Sequence, residues 1–189
     1  MVRRRHLGRN LAIAGLAGLV LALALLFVLV GSPAPSYSSS THTPQPAGRN
    51  PSKSARMVCA HEAQHDIDGV LGVQIAAPPA PTWVDHLYSC RYVYANGSML
   101  LSVKELSSAP ATTAYFTSLR TRLGDRTTLH EVGQGAFVTR AGSVVVRKDY
   151  KVLLVDTSSL PARFGARAES RADVAADVSI TILGCWSGA

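Results

Sequence analysis

Residues 90–106, CRYVYANGSMLLSVKEL, contain the strongest local structural signal in the chain. Two runs of aromatic, aliphatic and β-branched residues flank Asn96-Gly97, the dipeptide that tight hairpin turns prefer. We therefore expect two neighbouring antiparallel strands here. These strands decide the fold class, because the other segments must pack on the sheet that they begin.

The residues after this hairpin predict further strands of the same kind. Short apolar runs at about residues 136–139, 143–147 and 152–156 are separated by the turn-forming segments Arg140-Ala141-Gly142 and Asp149-Tyr150. Strands that are joined by short turns pair antiparallel. The sequence thus predicts an antiparallel sheet of about five strands.

Three stretches have apolar residues at helical spacing and are each followed directly by a glycine: residues 57–71, 108–123 and 168–183. Glycine is the usual residue just past a helix C-terminus. In the second stretch, Ser108 and Pro110 are typical of a helix start. Because each helix must bury its apolar face, we predict an α+β domain over residues 57–189 in which three helices cover the sheet.

The N-terminal part of the chain has the pattern of a membrane anchor. Residues 1–10 contain four arginines and no acid, and residues 11–30 form an uncharged apolar run. As a helix, this run spans about 30 Å, the thickness of the hydrocarbon core of a bilayer. We predict one transmembrane helix over residues 11–30 with residues 1–10 in the cytoplasm. The alternative is a secretory signal cleaved after Ser32-Pro33-Ala34, a cut that Pro35 disfavours.

Residues 31–56 are rich in Ser, Pro and Thr and include five of the ten prolines of the chain. Such a segment has too few apolar side chains to offset its ordering entropy, so we predict an extended linker. The linker would hold residues 57–189 outside the cytoplasm, tethered to the cell membrane by a single pass.

The net charge of +7 is concentrated towards the N-terminus. Residues 1–51 hold five arginines and no acid, whereas residues 52–189 hold 14 basic and 12 acidic side chains. Nucleic-acid binding needs several cations on one surface. We therefore expect no nucleic-acid partner.

The chain has three cysteines, Cys59, Cys90 and Cys185, which outside the cytoplasm should oxidise where geometry permits. We predict a disulfide between Cys59 and Cys90. It would clamp the first helix to the sheet, because Cys59 lies on the apolar side of that helix and Cys90 opens a strand. Three buried thiols, or a bond that involves Cys185, are the alternatives.

Residues 61–65, HEAQH, match the helix motif of zinc metalloproteases. In that motif His61 and His65 would bind Zn²⁺ and Glu62 would deprotonate its water. Both histidines are predicted on the side opposite the apolar face, where they would meet solvent. We therefore expect no metal and no cofactor, with a catalytic zinc site as the alternative.

A third zinc ligand is hard to find in the sequence. The extended form of the motif needs a glycine and a third histidine where this chain has Asp68 and Leu71. Asp85 or Glu105 are the candidates for a more distant acidic ligand. Neither stands in a recognisable second active-site helix.

Several spaced motifs together resemble a known group of domains. These motifs are Cys59, Leu71-Gly72, Cys90-Arg91-Tyr92, residues 132–137 (VGQGAF) and residues 144–148 (VVVRK). Over about residues 57–183 the chain resembles small extracytoplasmic domains of unknown function from actinobacterial lipoproteins and membrane-anchored proteins, including mycobacterial and streptomycete ones. The resemblance implies an envelope-associated domain without known catalytic residues. The chain departs from the lipoprotein pattern, since no cysteine follows the apolar segment.

These observations favour a membrane-anchored, extracytoplasmic interaction or accessory domain of the cell envelope, without catalysis of its own. Its expected partner is an envelope protein or an apolar small molecule. Trp83, within a proline-rich stretch, is the candidate partner contact, and a rim residue that caps the sheet is the alternative. Two other functions stay open: a carrier or sensor of an apolar envelope ligand, which needs an internal cavity of at least ~300 Å³, and a membrane-tethered zinc metallohydrolase.

Overall fold

The computed structural model describes residues 44–187. The transmembrane helix predicted over residues 11–30 and residues 31–43 of the predicted linker lie outside the described residues. Within residues 44–187, no helix combines the length and the apolar character that crossing a membrane requires.

The described part of the chain forms four helices and nine strands. The helices are α1 (Lys53–Met57), α2 (His61–Leu71), α3 (Ala109–Leu123) and α4 (Arg171–Ser187). The strands are β1 (Pro81–Val84), β2 (Leu87–Tyr94), β3 (Gly97–Glu105), β4 (Asp125–Leu129), β5 (Ala136–Thr139), β6 (Val144–Lys148), β7 (Lys151–Asp156), β8 (Arg163–Phe164) and β9 (Glu169–Ser170).

Seven of the strands form one antiparallel sheet in the order β1-β2-β3-β7-β6-β5-β4, and β8 pairs with β9 apart from it. The predicted α+β class is confirmed. The predicted count of about five strands is wrong, because β1 and β4 were missed. Both are edge strands whose side chains are mostly exposed, so neither shows the alternation of apolar and polar residues that marks a half-buried strand.

The predicted hairpin is present, but its turn lies one residue earlier than expected. Tyr94 pairs with Gly97, so Ala95 and Asn96 form the two-residue loop. Gly97 is required for a different reason, since a Cβ at this position would lie 2.8 Å from the carbonyl oxygen of Ser159. Gly97 is therefore needed for the close approach of the segment around Ser159 and not for the hairpin turn.

The first predicted helix is divided in two. Helix α1 begins at Lys53, four residues before the expected start of the domain, and its N-cap is Ser52, whose side chain accepts a hydrogen bond from the amide of Ala55. A turn separates α1 from α2, so Cys59 lies in that turn and not on a helix face. The linker-like composition of residues 31–56 concealed α1.

Helix α4 differs from its prediction at both ends, since it runs from Arg171 to Ser187 and passes through Gly184. Trp186, beyond the predicted end, is buried in the core. That burial is a tertiary contact, which outweighs the local tendency of glycine to end a helix.

The sheet has helices on both faces, but they cover them unequally. On one face, α1, α2 and α4 contribute to the main core, which takes side chains from β1–β3 and β5–β7. On the other face, α3 packs Phe116 and Leu119 against Phe137, Val145 and Val152. The strands that α3 contacts most are β6, β7 and β5.

Candidate interaction surfaces

The half of the sheet formed by β1, β2 and β3 has a face that lies opposite the main core. Alternate residues of β2, from Tyr88 to Tyr94, point into that core, so the residues between them point the other way. Strand pairing extends this face across the three strands. We call it the open sheet face and define it by Val84, Leu87, Arg91, Val93, Leu100 and Lys104.

The open sheet face exposes apolar side chains. The contacts of α3 fall on the other half of the sheet. Val84 is 66% exposed and Val93 is 44% exposed, while Leu87 and Leu100 are half-buried. Val84 lies beside Leu87 at one end of β2, and Val93 lies towards the other end with Leu100 diagonal to it. Exposed apolar side chains that group in this way on a sheet are a feature of surfaces that bind another molecule.

The open sheet face carries two cations, Arg91 and Lys104, and one acid, Asp156, which pairs with Leu100 on the same face. The exposed Arg91 donates to the hydroxyl of Ser98 at 3.2 Å, and the ammonium group of Lys104 donates to the carbonyl of Asp85. The half-buried Asp156, which pairs with Leu100 between β7 and β3, accepts hydrogen bonds from Ser143 and Ser158. A partner for this face should therefore offer apolar side chains and negative charge.

Trp83, the predicted contact residue, lies on β1 but on the core side of the sheet, and it is half-buried. Its indole Nε1 donates to the carbonyl of Arg49 at 3.3 Å. Its ring meets His86 edge-on at 5.7 Å and tilts against Tyr88 at 6.4 Å. These contacts are those of a rim residue that packs within the domain, so a role in partner binding stays a prediction.

Helix α4 forms a second candidate surface, because it carries apolar side chains on two sides. One side is buried in the core through Val174, Val178, Ile182 and Trp186. The other side presents Ile180, flanked by Ala176 and Leu183, which are half-buried and also pack against the core; we call these three residues the outer stripe. Ile180 is 56% exposed.

A cleft flanks the outer stripe on each side, and Ile180 lines both. The larger cleft has a volume of about 470 Å³ and is lined by Glu131, Val132, Gly133, Gln134, Lys148, Ile180, Leu183 and Gly184. The smaller cleft has a volume of about 310 Å³ and is lined by Gly69, Val70, Arg167, Asp177, Ile180 and Thr181. The side chain of Ile180 therefore lies between the two clefts.

The predicted zinc-motif residues lie on α2, where His61, Glu62 and His65 are all exposed. Within residues 44–187, no three or more His, Cys, Asp or Glu side chains form a group that could hold a metal ion. The proposed distant ligands therefore do not join the histidines in such a group: Asp85 lies in the β1–β2 turn, and Glu105 is buried and accepts from the amide of Ser52.

The predicted disulfide between Cys59 and Cys90 is confirmed, with a Cα–Cα distance of 5.6 Å. It joins the turn between α1 and α2 to strand β2. Cys185 is a free thiol whose sulfur lies 3.9 Å from Oδ2 of Asp66. Burial, followed by the charges of Asp66 and Glu62, raises the pKa of the Cys185 thiol, so it stays protonated and weakly reactive.

Polar side chains are also buried beneath α2. The hydroxyl of Tyr92 donates to the carbonyl of Val58 at 2.9 Å. The Tyr94 hydroxyl and Oδ1 of Asp68 are buried without a hydrogen-bond partner among the described residues. Burial raises the pKa of both tyrosines and of Asp68. Both phenols are therefore neutral hydrogen-bonding groups of the core.

The sequence contained a signal for only one of the two surfaces. Ile180 and Leu183 stand beside the core positions Val178 and Ile182, so α4 has more apolar residues than one face can hold. The open sheet face had no such signal, because Val84 lies in a strand that the sequence did not predict.

No protein-family model, curated protein or solved structure matches this chain. The resemblance to extracytoplasmic actinobacterial domains accordingly stays a prediction.

Proposed function

We propose that this chain is a membrane-anchored, extracytoplasmic interaction domain of the cell envelope, which binds a partner protein through the open sheet face and has no catalysis of its own. The observation that carries the proposal is the incomplete cover of the sheet. Helix α3 packs over β5, β6 and β7, while Val84 and Val93 stay exposed on the other half.

Burial of this face would release free energy for binding. Covering a fully exposed valine side chain contributes about 1.5 kcal/mol or more, and Val84 and Val93, which are 66% and 44% exposed, would each contribute correspondingly less. Arg91 and Lys104 would add selectivity, since like-charged partners are repelled and acidic ones attracted. We therefore favour a partner surface that combines aliphatic side chains with carboxylates.

The extracytoplasmic location has two supports. The disulfide between Cys59 and Cys90 is typical of oxidising compartments. Residues 11–30 have the length and the apolar composition of a spanning helix, and arginines precede them. Neither support depends on the open sheet face.

The location can be tested with the full chain in its membrane. We expect the protein to stay with the membrane fraction after alkaline carbonate washing. External protease should release the outer domain by cutting within residues 31–52, before α1 begins. A soluble product whose N-terminus is Pro35 would show that the apolar segment is a cleaved signal.

The contact surface can be tested by photocrosslinking in cells. A photoreactive residue at Val84 or Val93 in the full chain should form adducts with one recurring partner protein. Thr127 and Thr128, which are exposed on the opposite edge strand β4, are the matched control positions. Equal adduct formation at all four positions would contradict the proposal.

A carrier of an apolar ligand is less well supported. The larger cleft has a volume within the range of small-molecule sites, at about 470 Å³. It opens to solvent beside α4, however, and does not lie between the sheet and the helices. The surface-contact function therefore agrees better with the geometry.

A further inference from the structure

The chain enters helix α1 through an extended segment that lies against the rim of the sheet. This segment, which we call the arm, consists of residues 44–50, PQPAGRN, and Pro51 follows it. The arm contains neither helix nor strand, and its residues are exposed except Ala47, which is half-buried. Prolines at this density favour an extended backbone without internal hydrogen bonds. The backbone groups of the arm are therefore free to bond to the domain.

Two hydrogen bonds hold the arm against the sheet. The amide of Ala47 donates to the carbonyl of Leu106 at 2.9 Å, and the indole Nε1 of Trp83 donates to the carbonyl of Arg49 at 3.3 Å. In both bonds the arm contributes a backbone group. Another extended segment can form the same two bonds, provided that the residue at the position of Ala47 is not proline, which has no amide hydrogen.

The sheet holds the two partners of the arm in place. Trp83 pairs with Tyr88 between β1 and β2, and its ring contacts the rings of His86 and Tyr88. The amide of Leu106 donates to the carbonyl of Tyr150 at 2.8 Å, which fixes this part of the backbone. We call the Trp83 ring and the Leu106 carbonyl the rim site. The rim site is thus formed without the arm.

The arm ends at a point that is fixed to the domain. The carbonyl of Pro51 accepts from the guanidinium of Arg56 at 2.6 Å, and the amide of Ser52 donates to the buried carboxylate of Glu105 at 3.3 Å. Helix α1, which follows, buries Met57. The arm itself buries no side chain. Since segments with few buried apolar contacts open first, the arm can leave the rim site while Ser52 and α1 stay bound.

The chemistry of the rim site indicates what it can bind when the arm leaves. The site offers an indole N–H, a carbonyl and an aromatic ring, and domains that bind proline-rich segments use aromatic grooves of this kind. An incoming segment would need an amide and, two residues later, a carbonyl, as in Ala47 and Arg49 of the arm. Prolines outside these positions lower the entropy that the segment loses on binding.

We propose that the rim site binds an extended, proline-containing segment of a partner protein, and that the arm covers the site until such a segment displaces it. The inference goes beyond the proposed function, because Trp83 lies on the core side of the sheet and not on the open sheet face. Its covalent connection gives the arm an effective concentration on the order of 1 mM. The parent chain should therefore bind a free peptide weakly.

The first test measures the opening of the arm by hydrogen exchange of the full chain in detergent micelles. The amide of Ala47 should exchange at least about tenfold faster than the amide of Leu106, because the arm opens without the sheet. Both amides donate to backbone carbonyls at the same end of the sheet, so they are a matched pair. Equal protection of the two amides would show that the arm does not open separately, and it would overturn the proposal.

The second test measures binding of a fluorescein-labelled peptide of residues 44–52 to full chains in detergent micelles. Ala47→Pro removes the amide that donates to Leu106, so the arm covers the rim site less tightly. This variant should bind the peptide at least about threefold more tightly than the parent does. Gln45→Pro is the matched control, since it adds a proline to the arm but leaves both hydrogen bonds in place. It should bind the peptide as the parent does.

Trp83→Phe, combined with Ala47→Pro, tests the site itself. It keeps an aromatic ring but removes the indole N–H, and it should raise the dissociation constant of the peptide about two- to tenfold. Val93→Glu in the same background alters the open sheet face and should leave peptide binding unchanged, so the result is independent of the proposed function. A thermal melt checks that each variant folds. No saturable binding to Ala47→Pro, equal binding by the parent and Ala47→Pro, or an unchanged dissociation constant in Trp83→Phe would each overturn the rim site.

Discussion

The hydroxyl of Ser143 donates a hydrogen bond of 2.9 Å to Oδ1 of Asp156, and it accepts one of 3.2 Å from the amide of Thr157. The hydroxyl of Thr157 lies 3.2 Å from the carbonyls of both Gly142 and Arg171. Arg171 is the first residue of α4. This small network therefore fixes the start of α4 to the ends of β6 and β7.

The network predicts a pH-dependent contribution to stability from Asp156. Burial by itself would raise the pKa of this carboxyl, but hydrogen bonds from Ser158 and Ser143 and the charge of Arg91 outweigh burial and lower it. A carboxyl whose pKa is lowered in the folded state stabilises the fold above its ordinary pKa, and this stability is lost as pH falls through the lowered value.

Asp156→Asn should therefore lower the free energy of unfolding by about 1–2 kcal/mol at pH 7, allowing for solvent screening of a half-buried group. The difference from the parent should shrink as pH falls below 3.8, the ordinary pKa of Asp. Urea denaturation across this range measures it. Asp85→Asn is the control, since asparagine also tolerates the left-handed backbone of that turn. A pH-independent difference would contradict the assignment.

Loss of the hydroxyl should change the free energy of unfolding differently at two buried tyrosines of β2. Tyr92→Phe leaves the carbonyl of Val58 without its hydrogen bond of 2.9 Å, and it should cost about 1–3 kcal/mol. Tyr94→Phe removes a hydroxyl that has no partner among the described residues, and it should be neutral or stabilising. Thermal and urea denaturation of the two variants compare them directly. Equal destabilisation would show that the Tyr94 hydroxyl has a partner, such as a buried water.

The disulfide should contribute substantially to stability. Cys59 and Cys90 are 31 residues apart, and closing such a loop contributes about 3–4 kcal/mol in the chain-entropy model. Cys59→Ser should therefore lower the urea midpoint strongly, whereas the control Cys185→Ser removes a thiol that forms no disulfide. Peptide mapping without reductant should join Cys59 to Cys90, and a peptide that joins Cys185 to either would contradict the pairing.

The zinc motif gives a prediction that can be tested by elemental analysis. Purified full chain, prepared without a histidine tag or chelator, should hold no stoichiometric zinc and hydrolyse no peptide above background. His61 and His65 are exposed, and two imidazoles lack the third protein ligand of catalytic zinc sites. One zinc per chain that is lost in His65→Ala, with an activity abolished by Glu62→Gln, would make this a metallohydrolase.

The parts of the fold that the sequence predicted well are those determined by local chemistry. Helix α3 starts after Ser108 and ends before Gly124, because both signals act through nearby backbone groups. The end of α4 was misplaced, since the burial of Trp186 in the core extends the helix past Gly184. That contact joins distant segments, and no local pattern reports it.

The candidate surfaces were harder to predict for a related reason. Whether Val84 is exposed depends on which half of the sheet α3 covers, and this is decided by the packing of Phe116 against Phe137. The sequence shows that α3 has one apolar face but not which strands will receive it. The predicted contact residue, Trp83, was taken from its aromatic character, and it packs on the core side instead.

The edges of the sheet limit how this domain can self-associate. Val84 pairs with Leu87 across the two-residue turn, so its backbone N–H and C=O face β2. In an antiparallel edge strand the backbone groups of every second residue face outward, so those of Pro81 and Trp83 point away from the sheet. Pro81 has no N–H to offer an incoming strand, and at the other edge a register shift between Asp125 and Thr127 breaks the regular ladder of β4. Edge-to-edge pairing between the sheets of crowded copies is therefore disfavoured, which lowers the tendency of the domain to form fibre-like aggregates.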